Sequence, residues 1–370
     1  YRSPFTRLPP RLVRWLRHGY YGGRVEVYQL GAIERRVRHY DVNSLFPSVM
    51  ADGIYPDLGT WRAVTRPDFE REGMADCLVR VPSMALPPLP VRGDTDIVYP
   101  HGTFRGTWPY PEIRQAMLDG AIIEKVYQAM ECAPMASPFR EYVQLCYRNR
   151  LAASKGSLDD RLWKLFANSL YGKFGQKEGL EMVYQDRLFR LTTKPTPAAN
   201  VIWAAYVTSL ARLVLLRWLR SCSVCYYTDT DSVFTPDRLP TSTKLGALKL
   251  EGEYDRMEIA GNKLYIVEAK TLKGTEGVDF LRTGDGTAIQ GKAKGVKGQQ
   301  AAVDFIRTGR AVYRKPARYR EARRHGAVVN KWYDMPKERQ AVYEKRRVLP
   351  DGRTEPWAWH DYQRRKKGER

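Results

Sequence analysis

Cysteine is scarce in this sequence, and its five residues lie far apart. A disulfide framework needs more cysteines at closer spacing, so a disulfide-stabilised fold is excluded and a reduced, intracellular compartment is expected. Cys222 and Cys225 form a single CxxC pair without a second one. Because a structural zinc ion takes four ligands, this pair predicts two small core residues rather than a zinc site.

Long uncharged hydrophobic runs are also missing. The most apolar stretch, residues 201–219, contains Arg212 and Arg217, which predicts a buried helix and no contact with a membrane. Acidic residues are few, 41 Asp and Glu against 62 Lys and Arg, so the net charge is +21. A basic excess this large predicts a polyanionic partner, and nucleic acid is the first candidate.

The positive charge is concentrated near the C-terminus, where residues 291–370 contain 23 Lys and Arg but only 9 Asp and Glu. Such a run is more often a solvated surface than a binding site. Here aromatic side chains alternate with the basic ones, which favours contact with phosphates and stacking on bases. The aromatic residues are Tyr313, Tyr319, Trp332, Tyr333, Trp357 and Trp359.

Three aspartates occupy positions from which a two-metal site could form. Asp41 closes a strand expected at Val37–Tyr40, and Asp229 and Asp231 lie in the YTDTDS turn of an expected hairpin. Residues i and i+2 across such a turn can place both carboxylates on one side. Phosphoryl transfer with two Mg²⁺ ions needs few protein carboxylates, because the triphosphate supplies the other ligands. An isolated DxD is a weak signal, so the assignment depends on neighbouring motifs.

Two neighbouring segments support this chemistry. DVNSLFPS, beginning at Asp41, predicts a helix start whose free backbone N–H groups bind phosphate. In KLFANSLYGKFG, a helix places Lys164, Asn168 and Tyr171 on one face, which offers an ammonium, an amide and an aromatic ring. Alone, this segment would be read as an amphipathic helix with a solvated lysine. The order and spacing of all three motifs favour a catalytic site.

Together these motifs resemble those of the family B DNA polymerases. DVNSLFPS resembles motif A, KLFANSLYG motif B, YTDTDS motif C, and Lys263–Tyr265 the KxY motif of that family. The YYGG segment resembles the YxGG motif of the protein-primed, phage-type branch, and KAKGV at 292–296 is similar to a segment near the thumb of that branch. The resemblance covers roughly residues 18–300.

The resemblance implies an α+β right hand with an antiparallel-sheet palm, helical fingers and a small thumb. The expected segments are a basic N-terminal arm with the YxGG turn (1–39), a first palm part (40–137), fingers (138–172), a second palm part (173–290), and a basic thumb and C-terminal region (291–370). In this family a 3′–5′ exonuclease domain with several acids normally precedes motif A. Only 40 residues precede Asp41, with Glu26 and Glu34 as their only acids, so that domain is expected to be absent from this chain.

The resemblance also implies residue roles. Asp41 and Asp231 would be the main ligands of two Mg²⁺ ions, for which Mn²⁺ could substitute, with Asp229 a weaker participant and the Val42 carbonyl a further ligand. Lys164 would serve both catalysis and nucleotide binding. The residues implied to bind the nucleotide are Ser44, Leu45, Phe46, Arg150, Lys164, Asn168 and Tyr171. Those implied to bind the primer or template are Tyr20, Gly22, Gly23, Thr230, Lys263 and Tyr265.

Two of these assignments carry a qualification from the sequence. Arg148 is available on the same helix as an alternative to Arg150. Phe46 stands where motif A usually has Tyr, so the ring is kept and the hydroxyl is lost. The ring is expected to lie under the deoxyribose and to exclude a 2′-hydroxyl.

The implied function is template-dependent addition of dNTPs to a primer 3′ end, with primer–template DNA and dNTPs as partners. The sequence leaves open the priming mode and whether a terminal protein or a processivity factor takes part. One alternative is a catalytically silent nucleic-acid-binding subunit with a polymerase fold. Retained aspartates and Lys164 argue against it, because unpaired buried carboxylates are costly. Another is an RNA-templated or RNA-making polymerase, and DTD rather than a DD pair disfavours a reverse transcriptase.

Overall fold

The structure is a computed structural model of the 370-residue chain. It describes residues 8–93, 96–176, 179–185, 188–194, 200–270, 280–316, 332–339 and 343–368, with the backbone alone for 179–194, 313–316 and 332–335.

Helices and strands alternate along the described chain. The helices are α1 (Pro10–Leu16), α2 (Leu45–Asp52), α3 (Tyr110–Leu118), α4 (Arg140–Ala152), α5 (Leu158–Phe174), α6 (Val201–Ser221), α7 (Gln299–Thr308) and α8 (Trp359–Lys366), with a 3₁₀ turn at Arg17–Gly19. The strands are β1 (Val25–Val27), β2 (Gly31–Ile33), β3 (Val37–Val42), β4 (Ile54–Val64), β5 (Glu72–Val81), β6 (Val91–Arg92), β7 (Ile97–Val98), β8 (Gly102–Pro109), β9 (Ile122–Ala136), β10 (Gly179–Gln185), β11 (Leu188–Lys194), β12 (Tyr227–Asp229), β13 (Ser232–Thr235), β14 (Leu248–Tyr254), β15 (Arg256–Gly261), β16 (Leu264–Ala269), β17 (Leu281–Arg282), β18 (Ala288–Ala293), β19 (Arg310–Pro316), β20 (Trp332–Glu338), β21 (Arg347–Val348) and β22 (Thr354–Glu355).

A five-stranded antiparallel sheet, in the order β1-β12-β13-β3-β14, carries the aspartates. Its register places Ser232 opposite Asp41 and Val25 opposite Asp229. The fold contains two further large sheets. One has four strands in the order β4-β9-β5-β8, and the other has five strands in the order β17-β18-β16-β15-β2. The strand–turn–helix expected at motif A and the hairpin expected at motif C are both present.

The apolar segment 201–219 forms the long helix α6, as expected. The Asn200 side chain accepts a hydrogen bond from the Trp203 backbone N–H and so caps the first turn. The helix is long and apolar enough to cross a membrane, yet 72% of its most apolar window is buried inside the protein. Arg212 is tolerated there because it forms a buried ion pair with Glu112, Nε to Oε1 2.8 Å. The helix is therefore a core element.

Helices α4 and α5 form the helical pair expected for the fingers. They begin and end within two residues of the bounds that the sequence indicates, 138–153 and 159–172. Ser157 caps α5 by accepting a hydrogen bond from the Asp160 backbone N–H. Between the fingers and α6, the backbone of β10 and β11 pairs as an antiparallel hairpin.

The segment expected as a basic N-terminal arm, residues 1–39, joins two of the sheets in its described part. Its strand β1 pairs with β12 at the edge of the catalytic sheet, and β2 pairs with β15. The side chains of Arg24 and Glu26 are buried and ion-paired, Nη2 to Oε2 2.6 Å. This pairing is long-range in sequence, which is why local patterns do not reveal it.

The segment expected as a basic thumb and C-terminal region, residues 291–370, also contacts other parts of the fold. Strand β18 crosses the expected boundary and pairs with the KxY strand β16. Beyond residue 343 the chain returns to the N-terminal segment, where Gly352 accepts a hydrogen bond from the Leu30 N–H (2.8 Å) and Tyr28 one from the Thr354 N–H (3.0 Å). We refer to residues 343–355 as the C-terminal strap.

The interpretation of Trp357 as a base-stacking residue is wrong. Its side chain is 9% exposed and packs in the core around Trp108, and its indole N–H donates to the Glu344 carbonyl (2.9 Å). Trp359 packs against the same core and stacks on Tyr362. Tyr319 and the side chains of Tyr313, Trp332 and Tyr333 lie outside the described residues.

Candidate active site

Asp41 and Asp231 are brought together by the pairing of β3 with β13. The Val42 N–H donates to the Asp231 carbonyl (2.8 Å), which joins motif A directly to the turn of motif C. Burial and the neighbouring Asp231 raise the pKa of Asp41 to about 7. Burial and the neighbouring Asp229 raise the pKa of Asp231 to about 6. Two carboxylates are thus held close together where their negative charges repel each other.

The donor set fits divalent cations that receive further ligands from a substrate. No ion pair, and no hydrogen bond from another described residue, reaches the side chains of Asp41 or Asp231; the Asp231 carboxylate accepts a hydrogen bond from its own backbone N–H. Within the described ranges, no group of three or more His, Cys, Asp or Glu could hold a metal ion unaided. Mg²⁺ is commonly held by one or two carboxylates together with substrate phosphates, so two unpaired aspartates are the donors that it needs.

Asp229 is placed differently from the other two aspartates. Its carboxylate forms an ion pair with the Lys263 ammonium and accepts hydrogen bonds from the hydroxyls of Thr230 (3.2 Å) and Tyr227 (3.3 Å). Asp229 is therefore not part of the unpaired couple, in keeping with the weaker role that the resemblance implies. Lys263 is held beside the catalytic turn by its N–H, which donates to the Tyr227 hydroxyl (2.9 Å).

Tyr265 is buried, in contrast to the primer contact expected of it. Its side chain is 7% exposed and its ring lies against Tyr227 and Phe234, with centroids 5.5 Å and 5.1 Å away. Lys263 precedes strand β16 and has a positive φ of 57°, so the two side chains of the KxY motif do not follow the alternation of one strand. Tyr265 supports the strand that follows Lys263, and the structure does not place it on an open surface.

The YxGG segment lies directly against the turn of motif C. The Thr230 N–H donates to the Arg24 carbonyl (2.8 Å), and a Cβ on Gly23 would come within 2.7 Å of the Thr230 methyl carbon. Gly23 is thus required by a close approach. Gly22 is exposed on the same turn, and Tyr20 is half-buried near the end of the fingers helix at Gly175. These residues are brought to the catalytic turn, although they lie some 200 positions away in sequence.

A cleft of about 1040 Å³ separates the catalytic sheet from the fingers. Lys164 and Asn168 of α5 face the aspartates across it, and Phe46 lies at its floor, stacked on Tyr171 with ring centroids 4.5 Å apart. The cleft-lining residues among the candidates are Asp41, Val42, Ser44, Leu45, Phe46, Arg150, Lys164, Asn168 and Asp231. Helix α5 therefore presents an ammonium and an amide to the cleft, while its Tyr171 ring lies behind the cleft-lining Phe46.

The start of helix α2 is the segment from which phosphate binding is expected. Ser44 adopts a left-handed conformation with φ 50°, which is uncommon outside glycine. The first N–H groups of a helix have no acceptor within the helix, and the residues Ser44, Leu45 and Phe46 line the cleft. The side chain of Leu45 is buried, so only its backbone can serve a ligand.

Arg150, rather than Arg148, lies in the cleft. Its guanidinium donates through Nη1 to the Ser44 hydroxyl (3.1 Å) and forms an ion pair with Asp160, Nε to Oδ1 3.0 Å. Arg148 is exposed and is not among the cleft-lining residues.

Among the cleft residues that the sequence analysis missed are Lys249, Glu251 and Asp160. Lys249 lies opposite Asp41 on β14 and forms an ion pair with Glu251 (2.7 Å). Their i, i+2 spacing shows that they share a strand face, but the register that brings them to Asp41 is not visible in the sequence. Asp160 could have been noticed because Ser157 and Asp160 have the spacing of a helix capping box.

Comparison with known proteins agrees with this arrangement. Residues 11–187 match the family described as DNA polymerase type B, organellar and viral. The DNA-directed DNA polymerase of Enterobacteria phage PRD1 is 29% identical over 290 residues, which cover 69% of this chain and 50% of that protein. The Escherichia coli protein named primer-independent DNA polymerase PolB is 29% identical over 234 residues, 58% of this chain and 27% of that one. Over residues 11–187 the chain is similar to family B DNA polymerases of the organellar and viral type.

A DNA polymerase fold extends over most of this chain. The ternary complex of phi29 DNA polymerase with primer–template DNA and nucleotide superposes with a TM-score of 0.70 at 18% identity, covering 90% of this chain and 63% of that one. The expected α+β polymerase fold is therefore confirmed, and the sequence matches agree with the expected family. The chain spans about half the length of the phage PRD1 relative, or less for PolB. The roles of single residues remain proposals.

The two raised pKa values make a prediction for the protein without divalent cations. The carboxylates of Asp41 and Asp231 have pKa values of about 7 and about 6 in the folded state, against about 3.9 when unfolded. At pH values between the unfolded and the folded pKa, the folded protein binds more protons than the unfolded protein, so its stability falls as the pH rises. With EDTA, we expect the Tm difference between pH 5.5 and pH 8 to be about 2–4 °C larger in wild type than in Asp41→Asn.

The comparison with a variant is needed because His39 changes the stability with pH in the opposite direction. Burial lowers its pKa to about 4, so its contribution is lost as the pH falls. Differential scanning fluorimetry of both proteins cancels this shared term. Mg²⁺ should reduce the pH dependence of wild type and leave that of Asp41→Asn nearly unchanged. An equal pH dependence in both proteins would show that the aspartate pair is not under charge repulsion.

Proposed function

We propose that the chain is the polymerase part of a template-dependent DNA polymerase, which adds dNTPs to the 3′ end of a primer. The observation that carries the proposal is the unpaired couple of Asp41 and Asp231, which faces Lys164 and Arg150 across one cleft. Two negative and two positive groups are the complement of divalent cations bound to a triphosphate. A silent subunit would have no use for two repelling carboxylates.

Two Mg²⁺ ions, or Mn²⁺ in their place, would lower the pKa of the primer 3′-hydroxyl and stabilise the leaving pyrophosphate. Asp41, Asp231 and the Val42 carbonyl would hold these ions. Lys164 and Arg150 would bind the triphosphate from the fingers side, and the N–H groups of Ser44–Phe46 would bind it from the palm side.

The base and sugar would lie against the neighbouring residues of the cleft. Asn168 and Tyr171 would line the nascent base pair, and Phe46 would lie under the deoxyribose. On the other side of the aspartates, Lys263, Thr230 and the YxGG turn form the surface nearest to the catalytic turn. We assign this surface to the primer and template. A terminal protein or a processivity factor would be a further partner.

A primer-extension assay tests this proposal. Extension of a DNA primer on a DNA template with dNTPs is expected, with Mg²⁺ and with Mn²⁺. Parallel reactions with NTPs, with an RNA template and without a primer separate the RNA polymerase and primer-independent alternatives. Binding of primer–template DNA without any extension, under all of these conditions, would favour the silent subunit and refute the proposal.

The stacked ring of Phe46 predicts how the site chooses its sugar. A 2′-hydroxyl over this ring would lose its hydrogen-bond partners, which costs about 1–3 kcal/mol. Phe46→Ala removes the ring, and we expect the ratio of ribonucleotide to deoxyribonucleotide incorporation to rise at least tenfold, about 1.4 kcal/mol. Single-nucleotide incorporation with dATP and ATP measures it.

Phe46→Tyr is the matched control, because it keeps the ring that stacks on Tyr171. Its ratio of ribonucleotide to deoxyribonucleotide incorporation should stay within about threefold of wild type, a difference below 1 kcal/mol. An unchanged ratio in Phe46→Ala would show that another group excludes the 2′-hydroxyl.

A further inference from the structure

The turn between the two fingers helices fixes an acidic side chain inside a cleft that should receive a polyanion. Asp160 lies in the first turn of α5, where its N–H donates to the Ser157 hydroxyl (3.2 Å). Its Oδ2 accepts from the Gly156 N–H (3.0 Å), and Gly156 has φ +81°, a conformation that other residues seldom adopt. The turn therefore holds the carboxylate in one orientation.

The other carboxylate oxygen of Asp160 holds one side of the Arg150 guanidinium. Oδ1 accepts from Nε at 3.0 Å, and on the far side Nη1 donates to the Ser44 hydroxyl at 3.1 Å. The two side chains are 17% and 29% exposed. Arg150 thus spans the cleft from the fingers turn to the residue that begins helix α2.

A purely stabilising ion pair does not account for this placement. Partly exposed pairs contribute about 0–1 kcal/mol to stability, and a carboxylate beside the expected triphosphate adds repulsion. The arrangement has a use if the carboxylate orients a cation. A guanidinium is a planar fork, so fixing Nε on one acceptor determines where both Nη groups point.

We infer that Asp160 is a positioning residue for nucleotide binding, which aims the Nη groups of Arg150 at the triphosphate beside Ser44. The inference rests on the proposed function. In the free protein the Ser44 hydroxyl accepts from Nη1. In the nucleotide complex a phosphate oxygen takes that position, while Asp160 keeps its hold on Nε.

The variant that tests this inference is Asp160→Asn, with Asp159→Asn as its control. Asp159 lies in the same first turn of α5 and is exposed, and the described residues give its side chain no ion pair or hydrogen bond. Both variants remove one negative charge near the helix N-terminus, so effects of the helix dipole cancel. Asn keeps an oxygen that can accept from Gly156.

Asp160→Asn should raise the KM for dATP about tenfold, equivalent to 1.4 kcal/mol, and leave kcat within about threefold. Asp159→Asn should stay within about twofold of wild type in both constants. Affinity for primer–template DNA and the Tm should be the same in both variants. In an Arg150→Ala background, Asp160→Asn should cause no further rise in KM, because the group that it positions is missing.

Equilibrium binding separates this inference from the proposed function. The probe is a fluorescent dATP analogue with a methylene bridge between the α- and β-phosphates, measured by anisotropy with Mg²⁺ and primer–template DNA. A lower affinity for the probe in Asp160→Asn than in Asp159→Asn would support the inference even if wild type extended no primer. Equal KM and equal probe affinity in the two Asn variants would overturn it. So would an undiminished effect of Asp160→Asn in the Arg150→Ala background, or no binding of the probe by wild type.

Discussion

Asp231→Asn is expected to lower the rate of primer extension at least a thousandfold, about 4 kcal/mol in activation free energy. The side chain is one of the two cleft carboxylates that form no ion pair with a described residue, and Asn carries no charge to hold a divalent cation. Metal ions contribute several kcal/mol of transition-state stabilisation in such reactions. Single-turnover extension of a labelled primer, with saturating dNTP, measures the loss.

DNA affinity should remain within about twofold in the same variant, because binding depends on contacts between basic side chains and phosphates. Asp255→Asn is the control. It removes an exposed carboxylate outside the cleft that accepts a hydrogen bond from the Lys270 N–H (2.9 Å), and it should extend primers normally. If Asp231→Asn keeps as much as about a tenth of the wild-type rate, a loss of only 1.4 kcal/mol, the assignment of the metal site is wrong.

The second large effect is expected at Arg346 in the C-terminal strap. Its guanidinium is buried, forms an ion pair with Glu26 (3.2 Å) and donates to the Thr354 hydroxyl (2.9 Å). Arg346→Met leaves these groups buried with fewer partners, which costs about 3–5 kcal/mol. For a chain of this size we expect the Tm to fall by about 4–6 °C.

Arg347→Met is the matched control for that substitution. Arg347 is the next residue, but its side chain is 57% exposed and pairs with the exposed Glu355, so its removal should change the Tm by less than about 1 °C. Extension by Arg346→Met should also decline near its Tm, because Glu26 belongs to the strand that pairs with β12. Equal Tm values for the two variants would show that the buried network does not stabilise the catalytic sheet.

The parts of the site that the sequence predicted are those built from local patterns. Strand β3, the turn at Asp41 and helix α2 are continuous in sequence, and the face of α5 that carries Lys164 and Asn168 follows from the helical period. Family resemblance then supplied the order of the segments. Boundaries of the palm, fingers and thumb remain predictions.

The parts that were wrong or missed depend on contacts between distant residues. Tyr265 matches a motif, yet the twist and packing of its sheet turn the ring inward, against Phe234. Trp357 stands among basic residues, yet it fills the core near Trp108. Composition shows which side chains can bind a base but not whether packing leaves them accessible.

Because the C-terminal strap packs against the N-terminal segment, the contacts around the catalytic sheet can be completed only late in synthesis of the chain. The strand that pairs with Asp229 is synthesised before its buried partner Arg346 and the backbone of Thr354, which follow more than 300 residues later. Contacts of such high sequence separation form slowly. A nascent chain that already carries every catalytic aspartate should thus stay inactive, and activity should appear only once translation has passed the strap.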